Sequence, residues 1–203
     1  MDPAAALLLS YLSGSLPFAA IAGKARGVDL RKQGSGNLGA TNVFRVLGWK
    51  IGLAVFLADA LKGALPVHFL PPHIVSPRDP VVWAIACGIA AIVGHVRPIF
   101  LKLRRGGKGV ATAAGVFFAL APVPMAITFA VFVLVVFATG YVSLGSLVCA
   151  VLLPGLLLVT LGASSPLFLV SLIVALFVFW THRANIGRLR RGEEHRFGKR
   201  GRA

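Results

Sequence analysis

The chain has 203 residues, of which 57% are hydrophobic and only 13% charged, and its mean hydropathy is +0.85. Soluble domains carry roughly twice that charged fraction, so an ordinary soluble fold is excluded and an all-α polytopic membrane protein is expected. The net charge of +15 does not imply a nucleic-acid partner, because the basic residues stand in the gaps between apolar runs and do not interleave with aromatic residues on a soluble scaffold.

The six carboxylates are Asp2, Asp29, Asp59, Asp79, Glu193 and Glu194. A magnesium or two-metal site draws on clustered carboxylates, and none cluster away from the tail pair, so no metal site is expected. Cys87 and Cys149 lie within apolar runs, with no basic neighbour or second thiol, and read as packing residues.

The first apolar run, residues 3–23, resembles a signal peptide but lacks a basic start. Ser10, Ser13, Gly14 and Ser15 give it a small-residue face suited to close helix packing, so it reads as a transmembrane helix. A basic, glycine-containing stretch from Lys24 to Lys50 follows. It holds Gly34-Ser35-Gly36-Asn37-Leu38-Gly39-Ala40-Thr41-Asn42, closed by Arg45. Backbone N–H groups, hydroxyls, amides and one guanidinium in such a run suit a phosphate, although composition alone fits a flexible polar loop equally well.

A second span, 51–70, contains Asp59 and Lys62, whose spacing puts them on one helix face. Charges at that depth face a protein interior or a polar cavity, and a mutual structural pair is favoured over a substrate role. The four prolines within Pro71–Pro80 mark a loop, and a third span covers 81–96. It leads into Gly94-His95 and Pro98, then Arg104-Arg105-Gly106-Gly107-Lys108-Gly109-Val110-Ala111-Thr112. A Gly-Gly-Lys-Gly turn before a helix offers N–H groups, a helix dipole and a lysine to an anion. The P-loop spacing is absent. Alone, the turn also fits an ordinary basic juxtamembrane segment.

From Val110 to Ala138 the chain is apolar apart from Pro122-Val123-Pro124. One helix would be over about 40 Å long, against a hydrocarbon core of about 30 Å, whereas two pieces are each rather short. Charge decides between them. Six basic residues lie between Lys24 and Lys50, five between Arg97 and Lys108, and eight from Arg183 to Arg202, leaving only Lys62 and Arg78 outside these blocks. Positive loops prefer the cytoplasm, and a turn at the two prolines is what returns the tail to that side. Further spans at 144–161 and 166–181 complete a single integral membrane domain, 1–203. It is expected to have seven transmembrane helices at 3–23, 51–70, 81–96, 110–121, 125–138, 144–161 and 166–181, with the N-terminus outside, the C-terminus cytoplasmic and every polar motif on the cytoplasmic face.

The last constellation is His182-Arg183-Ala184-Asn185-Ile186-Gly187-Arg188-Leu189, followed by Gly192 and Glu193. Helical spacing puts His182 and Asn185 on one side. A lone histidine at a helix end often caps or snorkels, but Asn185 and Arg188 shift the weight toward a site. Ser143, in a short polar break, offers a hydroxyl or simply turns the chain. The tail from Arg190 to Arg202 reads as a polybasic strip against anionic membrane lipids.

These three ordered motifs resemble those of the bacterial acyl-phosphate:glycerol-3-phosphate acyltransferases, and the resemblance covers essentially the whole chain. It implies a seven-span enzyme of the bacterial plasma (inner) membrane with a cytoplasmic active site. Such an enzyme moves a fatty acyl group from acyl phosphate to the 1-hydroxyl of sn-glycerol 3-phosphate, giving lysophosphatidic acid and inorganic phosphate, without cofactor, obligate protein partner or acyl-enzyme. Carried onto this chain, it makes Ser35 and Arg45 essential, with Gly34, Gly36, Asn37, Gly39, Thr41 and Asn42 beside them as substrate-binding residues. Gly106, Gly107, Lys108 and Gly109 would hold glycerol phosphate, and His182 and Asn185 fall on functional positions, with Arg188 and Ser143 lining the site. Glu193 matches a structural position. Lys102-Leu103-Arg104-Arg105 departs from the more aromatic approach expected before the glycine turn.

Other classes fit less well. No histidine is followed five positions later by Asp, which acyltransferases using acyl-CoA or acyl carrier protein typically require. The aspartate clusters of CDP-alcohol phosphotransferases are missing, and a transporter's two similar halves are not found.

Overall fold

The computed structural model describes residues 1–197, so the end of the basic tail, with Lys199, Arg200 and Arg202, lies outside the described residues. The described residues fold as ten α-helices with short 3-10 turns. Their contacts divide the chain into two compact units, Met1–Ala121 and the residues from Pro122 onward.

In the first unit the opening apolar run is a broken helix, α1 (Pro3–Ser15) and α2 (Phe18–Ala25). The break has a local cause. Pro17 disfavours helical backbone at the residue before it, and Leu16 is extended at φ −59° and ψ 115°. The polar stretch that follows is not all loop, since its end forms α3 (Ala40–Leu47), a short helix that buries Ala40, Asn42 and Val43 and exposes Arg45. Beneath it, Ala19, Leu30, Leu38, Ala40, Val43 and Val55 form one apolar cluster, which seats the loop and α3 on α2 and on α4 (Trp49–Phe69). α5 (Pro80–Val96) and α6 (Val110–Leu120) complete the unit.

Two helix pairs in this unit meet backbone to backbone. α1 packs on α5 where Gly14 lies against Ala91, and Ser10, Gly14 and Ser15 are buried there, so the small-residue face of the first span does what its composition implies. α4 packs on α6 in the same way, with Gly115 against the Ala60 backbone. In membrane helices small residues at the contact let backbones approach and gain dispersion contacts.

The run from Val110 to Ala138 is divided, as its two prolines imply, but the prolines do not form a loop. Ala121 separates α6 from α7 (Pro122–Thr139), and Pro122 and Pro124 stand in the first turn of α7, where a missing N–H costs little. The second unit continues with α8 (Val142–Leu161), α9 (Pro166–Thr181) and α10 (Arg183–Arg190). α7 packs on α8 and α8 on α9, and the chain bends by 58° between α9 and α10.

Among the described residues five helical stretches are long and apolar enough to cross a membrane: Pro3–Ala25, Trp49–His73, Pro80–Leu101, Pro122–Thr139 and Val142–Leu161. The bent pair α9–α10 makes a sixth when it is taken as one span. α6, with 11 residues, falls short of that length. The chain is an integral membrane protein whose described residues are helical, and length and composition give five or six candidate spans.

The glycine contacts are testable by contrast. Gly115→Ala forces a methyl into the Ala60 backbone, while Gly155 on α8 has nothing within 4 Å of an added Cβ. We expect Gly115→Ala to cost about 1–3 kcal/mol and Gly155→Ala to be neutral or stabilising by up to about 1 kcal/mol. Melting of the purified protein in detergent reads both.

Candidate active site

The first motif is shaped by one buried amide. Asn42, 1% exposed, accepts the Ser35 N–H at 2.8 Å through Oδ1 and donates from Nδ2 to the carbonyls of Leu30 at 3.1 Å and Gln33 at 3.0 Å. Grouped by the sequence with the ligand-binding residues, Asn42 spends its amide on its own loop and acts as the clasp of the motif. Gly34 is left-handed at φ +60°, and a side chain there would strike Asn42 Oδ1, so glycine is required on both counts. Held this way, Ser35 and Gly36 stand exposed at the loop surface, with Asn37, Gly39 and Thr41 half-buried beside them. Arg45 projects from the last turn of α3 and is exposed.

The second motif reaches its glycines through two left-handed non-glycine residues, Lys102 at φ 54° and Leu103 at φ 56°. Each costs about 1–2 kcal/mol relative to right-handed backbone. Hydrogen bonds pin the path: Leu103 N–H donates to Pro98 O at 3.1 Å and Gly106 N–H to Val96 O at 2.9 Å. Gly107 lies between the His95 ring and the Leu38 carbonyl, in a space no side chain can enter. The second motif is therefore in contact with the first. Gly109 precedes α6 as its N-cap, and Lys108 is half-buried.

Below the glycines a small recess is lined by Leu38, Asp59, Lys62, His95, Gly106 and Gly107, with further walls from the α1–α2 break. Ser35, Arg45 and Lys108 are not among its walls. Asp59 and Lys62 face each other, with Lys62 Nζ 2.6 Å from Asp59 Oδ1. Lys62 also donates to the Leu16 carbonyl at 2.7 Å, at the helix break.

In the second unit the third motif closes on a carboxylate. α10 ends at Arg191, and Gly192, left-handed at φ +72°, turns the chain back so that Glu193 N–H donates to Arg188 O at 2.8 Å. This return buries Glu194. Its Oε1 accepts from Ser143 Oγ at 2.9 Å and Asn185 Nδ2 at 2.6 Å, and its Oε2 from Arg188 Nε at 2.6 Å. The carboxylate of Glu193, matched by the resemblance to a structural position, makes an exposed pair with Arg191 at 2.7 Å, while the buried carboxylate is that of Glu194. Burial disfavours the charged form of Glu194, but the donors Asn185, Arg188 and Ser143, together with the Arg188 charge, outweigh it and hold its carboxyl below the usual range.

His182 sits at the α9–α10 bend, 3% exposed, with Nδ1 2.8 Å from the Val178 carbonyl. A carbonyl only accepts, so Nδ1 carries the proton in that bond. The sequence places His95 within the second motif without giving it a role, and it gives Glu194 none. His95 needs the packing of α5 on the glycine turn to become visible, and Glu194 needs the chain reversal at Gly192.

The carboxylate hub makes a pH-dependent prediction. Because Glu194 is the stronger acid in the folded chain, its contribution is complete above the ordinary glutamate value of about 4.3 and is lost as pH falls below that toward the depressed folded value. Glu194→Gln should cost about 1.5–3 kcal/mol at neutral pH, with the difference from the natural chain shrinking in acid. Glu193→Gln, at an exposed pair, should change stability by less than about 1 kcal/mol at any pH. Melting curves at several pH values check all three.

Comparison with known proteins agrees with the reading from the motifs. A family model described as glycerol-3-phosphate acyltransferase matches residues 4–192. The glycerol-3-phosphate acyltransferase of Geobacter sulfurreducens is 45% identical over 190 residues, covering 93% of this chain and 94% of that protein. The Bacillus cereus protein of the same name is 45% identical over 184 residues, covering 90% and 88%. Among solved structures, PlsY (YgiH), an integral membrane glycerol 3-phosphate acyltransferase, is similar in its glycerol 3-phosphate form with a TM-score of 0.88 and 36% identity over 97% of this chain and 96% of that one. Its lysophosphatidic acid form gives a TM-score of 0.83. With a family model spanning nearly every described residue and relatives above 40% identity along their length, the chain belongs to the glycerol-3-phosphate acyltransferase family.

Proposed function

We propose that this chain transfers a fatty acyl group from acyl phosphate to the 1-hydroxyl of sn-glycerol 3-phosphate, releasing lysophosphatidic acid and inorganic phosphate. The observation that carries this reading is the chain-long likeness to an acyltransferase whose crystal forms are a glycerol 3-phosphate form and a lysophosphatidic acid form. The donor is what the resemblance of the three motifs implies, and the chemistry fits it. Acyl phosphate is a mixed anhydride with a good leaving group, so the protein needs chiefly to bind phosphates, align a hydroxyl and stabilise an oxyanion. The three motifs supply groups of that kind.

In the reaction we propose, the 1-hydroxyl oxygen attacks the acyl carbonyl carbon, the new ester C–O bond forms, and the carbonyl carbon's bond to the phosphate oxygen breaks. Phosphate leaves with the bonding pair, and the hydroxyl proton passes either to His182 as general base or to a phosphate oxygen of a substrate, with His182 then orienting the reactants. Arg45 and Lys108 neutralise phosphate charge. Ser35 and Asn185 orient the acyl phosphate, aided by the N–H groups of Gly34, Gly36, Gly39, Gly106, Gly107 and Gly109 and the polar side chains of Asn37 and Thr41. Ser143 and Arg188 act through Glu194, which fixes Asn185. No acyl-enzyme and no cofactor are needed.

For the setting, we propose one membrane domain of seven spans in the bacterial inner membrane, with the N-terminus outside and the motifs facing the cytoplasm. The clustering of 19 of the 21 basic residues in three blocks supports this, since positive loops prefer the cytoplasm. α6 counts as a span on that ground, and the basic tail would lie against anionic lipid headgroups.

Purified protein in lipid, given acyl phosphate and glycerol 3-phosphate without CoA or added metal, should form lysophosphatidic acid and phosphate in equal amounts. Phosphate release without the lipid product would sink the reading. His182→Gln keeps a hydrogen-bonding group but removes the base, and should lower kcat by about 100-fold or more. Full activity in that variant excludes the base role.

A further inference from the structure

We infer that Asp59, Lys62 and His95 form a buried positioning network that holds the Gly106–Gly109 turn in its anion-binding shape, with His95 as the residue that sets the turn. The three side chains are 1%, 3% and 6% exposed. Charges buried this deeply are usually no more stabilising than apolar side chains of the same volume, so their presence points to a use beyond holding helices together. The network has two ends.

At one end Lys62 bonds Asp59 Oδ1 and the Leu16 carbonyl, and its ammonium lies 5.4 Å from the centre of the Phe18 ring. Ser13 Oγ donates to the Lys62 carbonyl at 3.0 Å. Lys62 is thus locked to both sides of the α1–α2 break, and Asp59 is locked by Lys62.

At the other end Asp59 Oδ1 faces His95 Nδ1 at 3.6 Å, too long for a hydrogen bond but close enough for the carboxylate to bias the ring electrostatically. The opposite edge of that ring is the floor of the turn. A Cβ on Gly107 would collide with His95 Nε2 and stand 2.8 Å from the Leu38 carbonyl, while one on Gly106 would collide with the His95 carbonyl. Gly106 and Gly107 are therefore wedged between His95 and the first motif, and Lys108 follows directly. A rotation of the ring has to displace Gly107, and with it the N–H groups and the lysine offered to the ligand. His95 acts through the turn and does not itself touch the anion.

This inference rests on the proposed role of the turn in holding glycerol 3-phosphate. The test compares the natural chain with His95→Ala, His95→Gln, Asp59→Asn, Gly107→Ala and the His95→Ala/Gly107→Ala pair, each checked for folding by its melting temperature in detergent. Steady-state kinetics with both substrates varied, and calorimetric binding of glycerol 3-phosphate alone, supply the readouts. His95→Ala should raise the KM and Kd for glycerol 3-phosphate about tenfold or more while changing KM for acyl phosphate and kcat less than about threefold. His95→Gln, which fills the same space, should restore part of the loss, and Asp59→Asn should show the same selective pattern more weakly. The double variant should bind no worse than the worse single one, because removing the ring makes room for the Gly107→Ala methyl. Unchanged glycerol 3-phosphate affinity in both His95 variants, equal rises in both KM values, or multiplicative losses in the pair would overturn the inference. If His95→Ala does not fold, His95→Gln and Asp59→Asn decide on the same criteria. Binding without transfer in the natural chain would overturn the acyl-phosphate reading and leave this one standing.

Discussion

The first unit of the protein depends on a single ammonium. Lys62 lies in α4, but it bonds to Asp59 one turn away and to the Leu16 carbonyl where α1 breaks into α2. In an apolar unit a broken helix frees backbone groups that lipid cannot satisfy, and each unsatisfied one costs several kcal/mol. Phe18 N–H and Lys62 Nζ both reach the Leu16 carbonyl, and Asp59 balances the charge. The break can then persist, and with it the path that carries the chain into the first motif. The nearby glycine contacts, Gly14 on Ala91 and Gly115 on Ala60, bring α1, α4, α5 and α6 close enough for these short polar bonds to form.

The first and third motifs are each held by a buried side chain with most of its hydrogen-bonding capacity turned inward. Asn42 closes the loop of Leu30 to Ser35 with three bonds, and Glu194 gathers Ser143, Asn185 and Arg188. A catalyst that works by positioning and electrostatics needs donors that do not reorganise as the reaction proceeds. Buried networks of this kind supply that stiffness only when their members are satisfied. Of the groups proposed to meet substrate, Ser35 and Arg45 are exposed, whereas His182 and Asn185 are buried, as are Asn42 and Glu194, which hold their motifs.

Much of the architecture was legible because lipid imposes simple constraints. Apolar runs of spanning length and the small-residue face of the first span correspond to helices and helix contacts in the structure, and the ordered motifs identify the family. What escaped the sequence reading shares a feature. α3 emerges from a polar stretch whose composition fits a loop, because Val43 and Ala40 have only a short apolar pattern to announce them and need α2 and α4 to bury against. Pro122 and Pro124 read as a turn but start a helix, since a proline is as compatible with a first helical turn as with a loop.

By itself, then, the sequence determined the membrane class, the helical runs, that the segment from Val110 to Ala138 is divided, the Asp59–Lys62 pair and the identity of the motifs. These follow from composition and from spacings of three or four residues along one helix. Only the tertiary structure decided that Asn42 is a clasp, that Glu194 and not Glu193 is the carboxylate hub, and that His95 floors the glycine turn. Each of these depends on contacts between segments distant in the chain, or on a left-handed residue that reverses it. No periodicity in a sequence records where a reversed chain comes to rest.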